Sequence, residues 1–111
     1  TSNTCPITAG ALQLIHKRAF DAAFNVAAMV DALGCSRSHL TRRFLAATAS
    51  TPLEYLLQYR LDAARKAVLS GDEPIREVAR RCGFASSNYF CRIFRQRYHM
   101  TPKSYRLASG G

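Results

Sequence analysis

Apolar residues recur every three or four positions along most of this chain, which is the spacing of one face of an α-helix. The stretch from Pro52 to about Leu69 shows this spacing most clearly. Its apolar face comprises Leu53, Leu56, Leu57, Leu61, Ala64 and Val68. No stretch shows the sustained alternation of a β-strand or the turn residues of a hairpin. The pattern therefore predicts an all-α protein of about seven helices.

Capping residues and helix breakers indicate where these helices begin and end. The predicted helices cover residues 9–21, 26–33, 37–48, 52–69, 75–82, 87–98 and 102–107. Asn25, Ser36 and Ser86 can each accept a hydrogen bond from the first turn of the helix that follows. Gly34 and Gly83 follow two of the short helices and can form the turns. Each glycine thus separates a short helix from a capped helix.

These two segments repeat one another, and we call them the first repeat (residues 26–55) and the second repeat (residues 75–105). From the capping serine onward the two repeats align at an offset of 50 residues. The offset pairs Ser36 with Ser86, Leu40 with Phe90, Arg42 with Arg92, Phe44 with Phe94, Thr51-Pro52 with Thr101-Pro102, and Tyr55 with Tyr105. A short helix, a glycine turn and a capped second helix form the layout of a helix-turn-helix.

The repeat predicts how the chain divides. We expect a first helix-turn-helix subdomain over residues 9–51, a linker helix over residues 52–70 and a second subdomain over residues 71–107. Residues 1–8 and 108–111 are expected to be flexible ends, and the 111 residues together form one domain.

The charge balance indicates the kind of partner that the chain binds. The chain has 16 Lys and Arg against 7 Asp and Glu, a formal net charge of +9. No acidic residue lies between Leu33 and Leu53, or between Val78 and Gly111. Basic stretches without acids favour binding to a polyanion, either a nucleic acid or an anionic membrane. A membrane is disfavoured because the arginines are divided between two capped helices, and RNA because no exposed aromatic platform is evident.

Catalysis and metal binding have little support in the sequence. There is no Ser/His/Asp set, no pair of acids in the polar zones where catalysis would have to sit, and no glycine-rich phosphate loop. The four cysteines and three histidines do not have the spacing of zinc ligands. We therefore expect no catalytic residue, no metal and no cofactor, and double-stranded DNA as the partner.

In a helix-turn-helix the second helix lies in the DNA major groove, so one of its faces packs on the protein and the other reads bases. Leu40, Phe44, Phe90 and Phe94 are the expected packing residues. The expected base-reading residues on the opposite faces are Arg37, Ser38, Thr41 and Arg42 in the first repeat and Ser87, Asn88, Cys91 and Arg92 in the second. Arginine can bind guanine, asparagine can pair with adenine, and hydroxyl groups donate or accept. The expected phosphate contacts are Asn25, Ser36, His39, Ser86, Arg95, Lys103 and Arg106.

Other interpretations remain for three arginines, for one cysteine and for His39, which fits an ordinary surface histidine as well as a phosphate contact. Arg60 and Arg65 on the linker helix are expected to be solvated or paired within the protein rather than to read DNA. Arg43 can lie over apolar surface through its methylene groups. Cys91 is either a small residue that fits the groove or a thiol that senses oxidants beside Arg92.

The second repeat carries a longer signature, IREVARRCGFASSNYFCRIFRQRYHMTPKSYR from Ile75 to Arg106. It resembles the DNA-binding domain of the AraC/XylS family of bacterial transcription activators. The resemblance covers about Ile15 to Arg106 and implies seven helices, with the third and sixth reading adjacent major grooves. The family often has glycine after each reading helix, where this chain has Ala49 and His99.

The resemblance also implies a cellular setting. It is that of a cytoplasmic bacterial activator, with RNA polymerase as a candidate second partner. An effector or dimerisation domain would precede the present chain, which begins at Thr1. The alternative is a free-standing regulator without a sensor domain.

Overall fold

The computed structural model describes residues 6–110, and within them every regular element is an α-helix, as predicted. The helices are α1 (Pro6–Arg18), α2 (Val26–Leu33), α3 (Arg37–Thr48), α4 (Pro52–Ser70), α5 (Ile75–Arg81), α6 (Ser87–Tyr98) and α7 (Pro102–Gly110). Helices α2, α3 and α6 have the predicted bounds. Helix α7 continues past Leu107 into the predicted flexible C-terminal end, and residue 111 lies outside the described residues.

Helix α1 lies three residues earlier than predicted. Pro6 suits the first position of a helix because its missing N–H would have no partner there. After Arg18, the Asp21 carboxylate accepts a hydrogen bond from the Ala23 N–H at 2.9 Å, a bond that favours a turn over a helix. The predicted flexible N-terminal end does not hold for residues 6–8, since Thr8 is buried in α1. Residues 1–5 of that end lie outside the described residues.

The chain divides into two compact units. Unit 1 comprises the residues up to Ala19 together with Phe24–Tyr59. Its core consists of Ala11, Ile15, Ala19, Phe24, Val26, Met29, Leu40, Phe44 and Leu56. Tyr55 of α4 packs edge-on against Phe44, with ring centroids 5.5 Å apart. The inward placement predicted for Leu40 and Phe44 is confirmed.

Unit 2 comprises Phe20–Ala23 and the chain from Arg60 onward. Its buried apolar residues are Leu61, Ala64, Val68, Val78, Ala79, Cys82, Phe84, Phe90 and Phe94. Tyr105 packs edge-on against Phe94 with ring centroids 5.4 Å apart, the counterpart of the contact between Tyr55 and Phe44 in unit 1. The sequence repeat is therefore also a repeat of aromatic packing.

Helix α4 contributes residues to both units, although the pattern predicts a separate linker. Leu56 is buried in unit 1, and Leu61 is among the buried residues of unit 2. Leu53 is 44% exposed, so the predicted apolar face begins one turn later than expected. A capping box starts the helix: Thr51 Oγ1 accepts from the Glu54 N–H at 3.1 Å, and Glu54 Oε1 accepts from the Thr51 N–H at 2.9 Å.

Candidate nucleic-acid interface

Helix α3 is anchored at both ends and along one side. Ser36 caps it, because its hydroxyl oxygen accepts a hydrogen bond from the His39 N–H at 3.1 Å. Leu40 and Phe44, one turn apart, are completely buried in unit 1. These contacts leave the opposite side of α3 facing solvent.

That solvent-facing side holds all four residues predicted to read bases in the first repeat. They line one shallow depression together with a leucine that is not among the residues predicted from the sequence. We call this group the first reader face, and it consists of Arg37, Ser38, Thr41, Arg42 and Leu45. Thr41 is half-buried, and the other four side chains are exposed.

Arg42 has a neighbour that restricts its position. Its Nη2 lies 3.3 Å from Nδ1 of His39, one turn earlier, and donates to that nitrogen when the ring is unprotonated there. His39, expected to bind phosphate, is half-buried. Its contact with Nη2 places it to orient the guanidinium of Arg42.

Helix α6 repeats this construction in unit 2. Ser86 caps it by accepting from the Tyr89 N–H at 3.1 Å, and Phe90 and Phe94 are completely buried. A shallow depression on the exposed side forms what we call the second reader face. It is lined by Ser86, Asn88, Tyr89 and Arg92. Of the residues predicted to read bases here, Asn88 and Arg92 line the depression, whereas Ser87 and Cys91 are half-buried on the same helix.

Tyr89 lines this face but is not among the residues predicted from the sequence. The guanidinium carbon of Arg92 lies 5.4 Å from the centroid of the Tyr89 ring, a cation–π geometry. The spacing of three residues between an aromatic side chain and an arginine on one helix could have indicated this contact. Each reader face thus has an arginine that is held by the ring three residues before it.

Five of the seven residues predicted to contact phosphate fall into two groups. Asn25, Ser36 and Ser86 are exposed helix caps, and the Asn25 Oδ1 accepts from the Ala28 N–H at 2.9 Å. Arg95 and Lys103 are exposed on α6 and α7. Helix N-termini and exposed cations both favour phosphate, so contact with phosphate stays a prediction for these five residues.

Arg106 is placed differently from the other predicted phosphate contacts. Its Nε donates to the Val68 carbonyl at 2.8 Å, and its Nη1 donates to the Glu73 carbonyl at 2.7 Å. Its Nη2 is buried without a hydrogen-bond partner among the described residues. This guanidinium therefore satisfies carbonyls near the end of α4 and has a structural role, which the sequence motif alone did not reveal.

Some arginines are paired with carboxylates, so the number of arginines overstates the unpaired positive charge. Two arginines of the acid-free C-terminal stretch reach back to acids before it: Arg80 pairs with Glu77 at 2.8 Å and Arg81 with Glu73 at 2.6 Å. The hydrogen bond from Arg81, with its charge and that of Arg106, lowers the pKa of Glu73. Among the described residues, no carboxylate pairs with Arg37, Arg42, Arg92 or Arg95, so the positive charge of both reader faces is not neutralised within the chain.

Two arginines of α4 have partners within unit 2. Arg60 is buried, and its Nη2 donates to the Asp21 carbonyl at 3.2 Å. Burial lowers the pKa of Arg60, while Tyr89 and Asp21 oppose that effect. Hydrogen bonding to Tyr105 raises the pKa of Arg65. Both placements agree with the structural interpretation of these two residues.

Comparison with known proteins assigns the chain a type of domain. A family model described as a helix-turn-helix domain matches residues 29–108. The xylose operon regulatory protein of Escherichia coli (strain K12) is 36% identical over 78 residues, which make up 70% of this chain and 20% of that protein. The chain thus spans a fifth of the length of this relative.

Solved structures agree with the family match. The DNA-binding domain of AdpA, a global transcriptional factor in complex with a target DNA, has a TM-score of 0.81 at 29% identity, over 93% of this chain and 91% of that one. A transcriptional regulator of Chromobacterium violaceum, described as containing an AraC-type DNA-binding domain, has a TM-score of 0.74 at 25% identity, over 96% of this chain and 95% of that one. Among the described helices α1 to α7, none combines the length and the hydropathy that a membrane span requires.

Proposed function

This chain belongs to the AraC/XylS family of helix-turn-helix transcription regulators, and we propose that it binds one double-stranded DNA site through two unlike reading helices. Helix α3 reads one element of the site with Arg37, Ser38, Thr41 and Arg42. Helix α6 reads the other with Ser87, Asn88, Cys91 and Arg92, of which Asn88 and Arg92 are the most exposed. The phosphate contacts come from Asn25, Ser36, His39, Ser86, Arg95 and Lys103.

One observation carries this proposal. Each repeat buries the same pair of positions completely, Leu40 with Phe44 and Phe90 with Phe94, and so turns the opposite helix face outward. Those faces combine arginines without a carboxylate partner among the described residues with hydroxyl and amide groups. This combination supplies attraction to phosphate and the donors and acceptors that distinguish base pairs in the major groove.

The test is a selection of binding sites from a random duplex pool with the 111-residue chain, followed by titration of the selected duplex. Arg42→Ala and Arg92→Ala should each cost about 1–3 kcal/mol on that duplex and relax preference at different base pairs. Arg80→Ala is the control, because Arg80 is exposed on α5 and paired with Glu77. It should leave the base preference unchanged.

Stability measurements distinguish reading residues from packing residues. Leu40→Ala and Phe94→Ala should lower the free energy of unfolding by about 2–5 kcal/mol, because each leaves a cavity in a closed core. The arginine variants should have free energies of unfolding close to that of the unsubstituted chain. Arginine variants that unfold early yet bind normally when folded would show that the two helix faces are assigned the wrong way round.

We further propose that the chain works as the C-terminal DNA-binding part of a larger, effector-responsive bacterial activator. The support is that it spans only part of its relatives, for example 20% of the Escherichia coli xylose operon regulatory protein and 33% of a Streptomyces antibioticus regulator. RNA polymerase would then be a second partner. A reporter gene with the selected site upstream of its promoter distinguishes activation, where expression rises with the protein, from repression.

A further inference from the structure

Leu45 is an exposed leucine at the edge of a charged surface. Its side chain is 47% exposed, and it lines the same depression as Arg37, Ser38, Thr41 and Arg42. A single exposed leucine is common on protein surfaces and needs no special explanation. What distinguishes Leu45 is its position between basic and hydrogen-bonding residues on the face that is proposed to enter the major groove.

The spacing along α3 places Leu45 in the stripe of reading residues. Ser38, Thr41, Arg42 and Leu45 stand at positions i, i+3, i+4 and i+7, which share one face of a helix. The recognition helix of homeodomains contacts the major groove from four residues at this same spacing. Leu45 therefore lies within the length of helix that can reach base edges.

The second repeat has different chemistry at the equivalent position. The 50-residue offset pairs Leu45 with Arg95, which is exposed on α6. An arginine there can bind phosphate or guanine, whereas a leucine can bind neither. In the major groove, the feature that an alkyl side chain recognises is the 5-methyl group of thymine.

We propose that Leu45 reads a thymine by packing against its 5-methyl group, in the DNA element bound by α3. The inference rests on the proposed function, since it requires that α3 lies in the major groove. It makes Leu45 a specificity residue of the first repeat that has no counterpart in the second. The element read by α3 then contains a thymine whose methyl group, rather than its hydrogen-bonding edge, determines the preference.

Removal of single methyl groups from the DNA tests the contact directly. In the selected duplex, each thymine is replaced in turn by deoxyuridine, which lacks only the 5-methyl group, and binding is titrated. For the unsubstituted chain, one replacement in the element read by α3 should weaken binding about fourfold, the value of one buried methyl group. With Leu45→Ala, the same replacement should have no effect, while the effects of all other replacements should stay unchanged.

Two controls support this experiment. Leu69→Ala removes a leucine of similar exposure, 40%, from α4 and should keep the response of the unsubstituted chain. Thr41→Ser removes the one methyl group of the first reader face that does not belong to Leu45, and the response at the thymine assigned to Leu45 should survive this change.

Three outcomes are distinguishable. A deoxyuridine effect that disappears only in Leu45→Ala supports the contact. The inference is overturned if Leu45→Ala and the unsubstituted chain respond alike at every thymine, or if the α3 element contains no preferred thymine. If the unsubstituted chain binds the selected duplex no better than a scrambled duplex, the proposed function itself fails, and this inference fails with it.

Discussion

At the scale of single residues, both reading helices end in a conformation that residues other than glycine rarely adopt. Ala49 after α3 has φ 63° and His99 after α6 has φ 65°, both in the left-handed region. Their N–H groups close the helices by donating to the carbonyls of Leu45 and Arg95. The helix ends therefore keep their hydrogen bonds at the expense of backbone strain.

Glycine at either position should relieve this strain. We expect Ala49→Gly and His99→Gly to raise the free energy of unfolding by about 1 kcal/mol each, because glycine adopts positive φ without a steric penalty. Urea unfolding of the two variants measures the effect. Lower stability in both variants would mean that the greater flexibility of glycine in the unfolded chain outweighs the strain.

Gly34 offers the reverse substitution as a control. It ends α2 at φ 66°, and a Cβ added there would meet no heavy atom within 4 Å. Gly34→Ala should therefore lower the free energy of unfolding by about 1 kcal/mol through backbone strain alone, without a clash. A stabilising effect of Gly34→Ala would contradict the assignment of strain to Ala49 and His99 as well.

At the scale of elements, the segment between α4 and α5 is held by two arginines that meet at Glu73. Its carboxylate binds Arg81, and its carbonyl accepts from Arg106. Because the hydrogen bond from Arg81 lowers the pKa of Glu73, the folded state favours the ionised carboxylate. The resulting stabilisation is present above the pKa of Glu73 in the unfolded chain and is lost as the pH falls through the lower pKa of the folded chain.

Glu73→Gln should therefore be less stable than the unsubstituted chain near neutral pH, and the difference should shrink under acid conditions. Unfolding in urea at about pH 7 and at about pH 2.5, below the ordinary range of carboxyl groups, measures this change. Arg81→Gln should behave in the same way, and the double variant should be no worse than either single variant. A difference that stays constant with pH would show that the carboxylate contributes nothing through its charge.

The elements also show what the sequence could and could not predict. The bounds of α2, α3 and α6 followed from caps such as Ser36 and Ser86, which are local and specific. The bounds of α1 did not, because the apolar spacing continues beyond Arg18 while the Asp21 turn ends the helix. Arg106 is the last residue of the signature that begins at Ile75, but its hydrogen bonds go to carbonyls 33 and 38 residues away. Contacts at such separations depend on the tertiary structure and cannot be deduced from local pattern.

Residues on one helix face were easier to predict than contacts between side chains. The periodicity of α3 and α6 placed Arg42 and Arg92 on exposed faces, because buried Leu40 and Phe90 fix the orientation of each helix. The same periodicity did not single out Tyr89, whose ring packs against Arg92. It also missed Leu45, since an apolar residue in a helix is first assigned to the core.

At the scale of the whole molecule, the net charge of +9 predicts that DNA binding depends on salt. The logarithm of the affinity should fall linearly with the logarithm of the salt concentration, with a slope of about −0.9 for each phosphate contacted. Arg95→Ala and Lys103→Ala should each reduce the steepness of the slope by about 0.9, the contribution of one phosphate contact, and should weaken binding to all sequences alike. Affinity that is constant between low and physiological salt would contradict an electrostatic interface.

Arg106→Ala provides the contrast in this series. Its guanidinium is bound to the carbonyls of Val68 and Glu73, so the substitution should leave the salt slope unchanged. It should instead lower the free energy of unfolding by about 1–3 kcal/mol, because buried acceptors lose their donors. A smaller slope in a variant of unchanged stability would restore Arg106 to the phosphate contacts.

The two reader faces differ in sequence, and this determines the form of the site that we expect. A symmetric dimer that uses one recognition helix per chain reads a palindrome. One chain with two unlike readers should instead read two unlike elements in tandem. Helix α4, continuous over 19 residues, connects the two repeats along the chain. We expect the two elements to lie about one DNA turn apart, near ten base pairs, because recognition helices with that separation enter major grooves on the same side of the duplex.

The spacing of the two elements should therefore matter to a single chain. Insertion of about five base pairs, half a turn, moves one element to the opposite side of the duplex and should remove most of the specific affinity. Insertion of about ten base pairs is the matched control for orientation, because it restores the facing but doubles the distance. If the affinity lost on the shorter insertion returns with the longer one, facing alone limits binding and the connection is flexible. Unchanged affinity after the five-base-pair insertion, or a selected site that is a perfect palindrome binding two chains, would contradict the model of two readers in one chain.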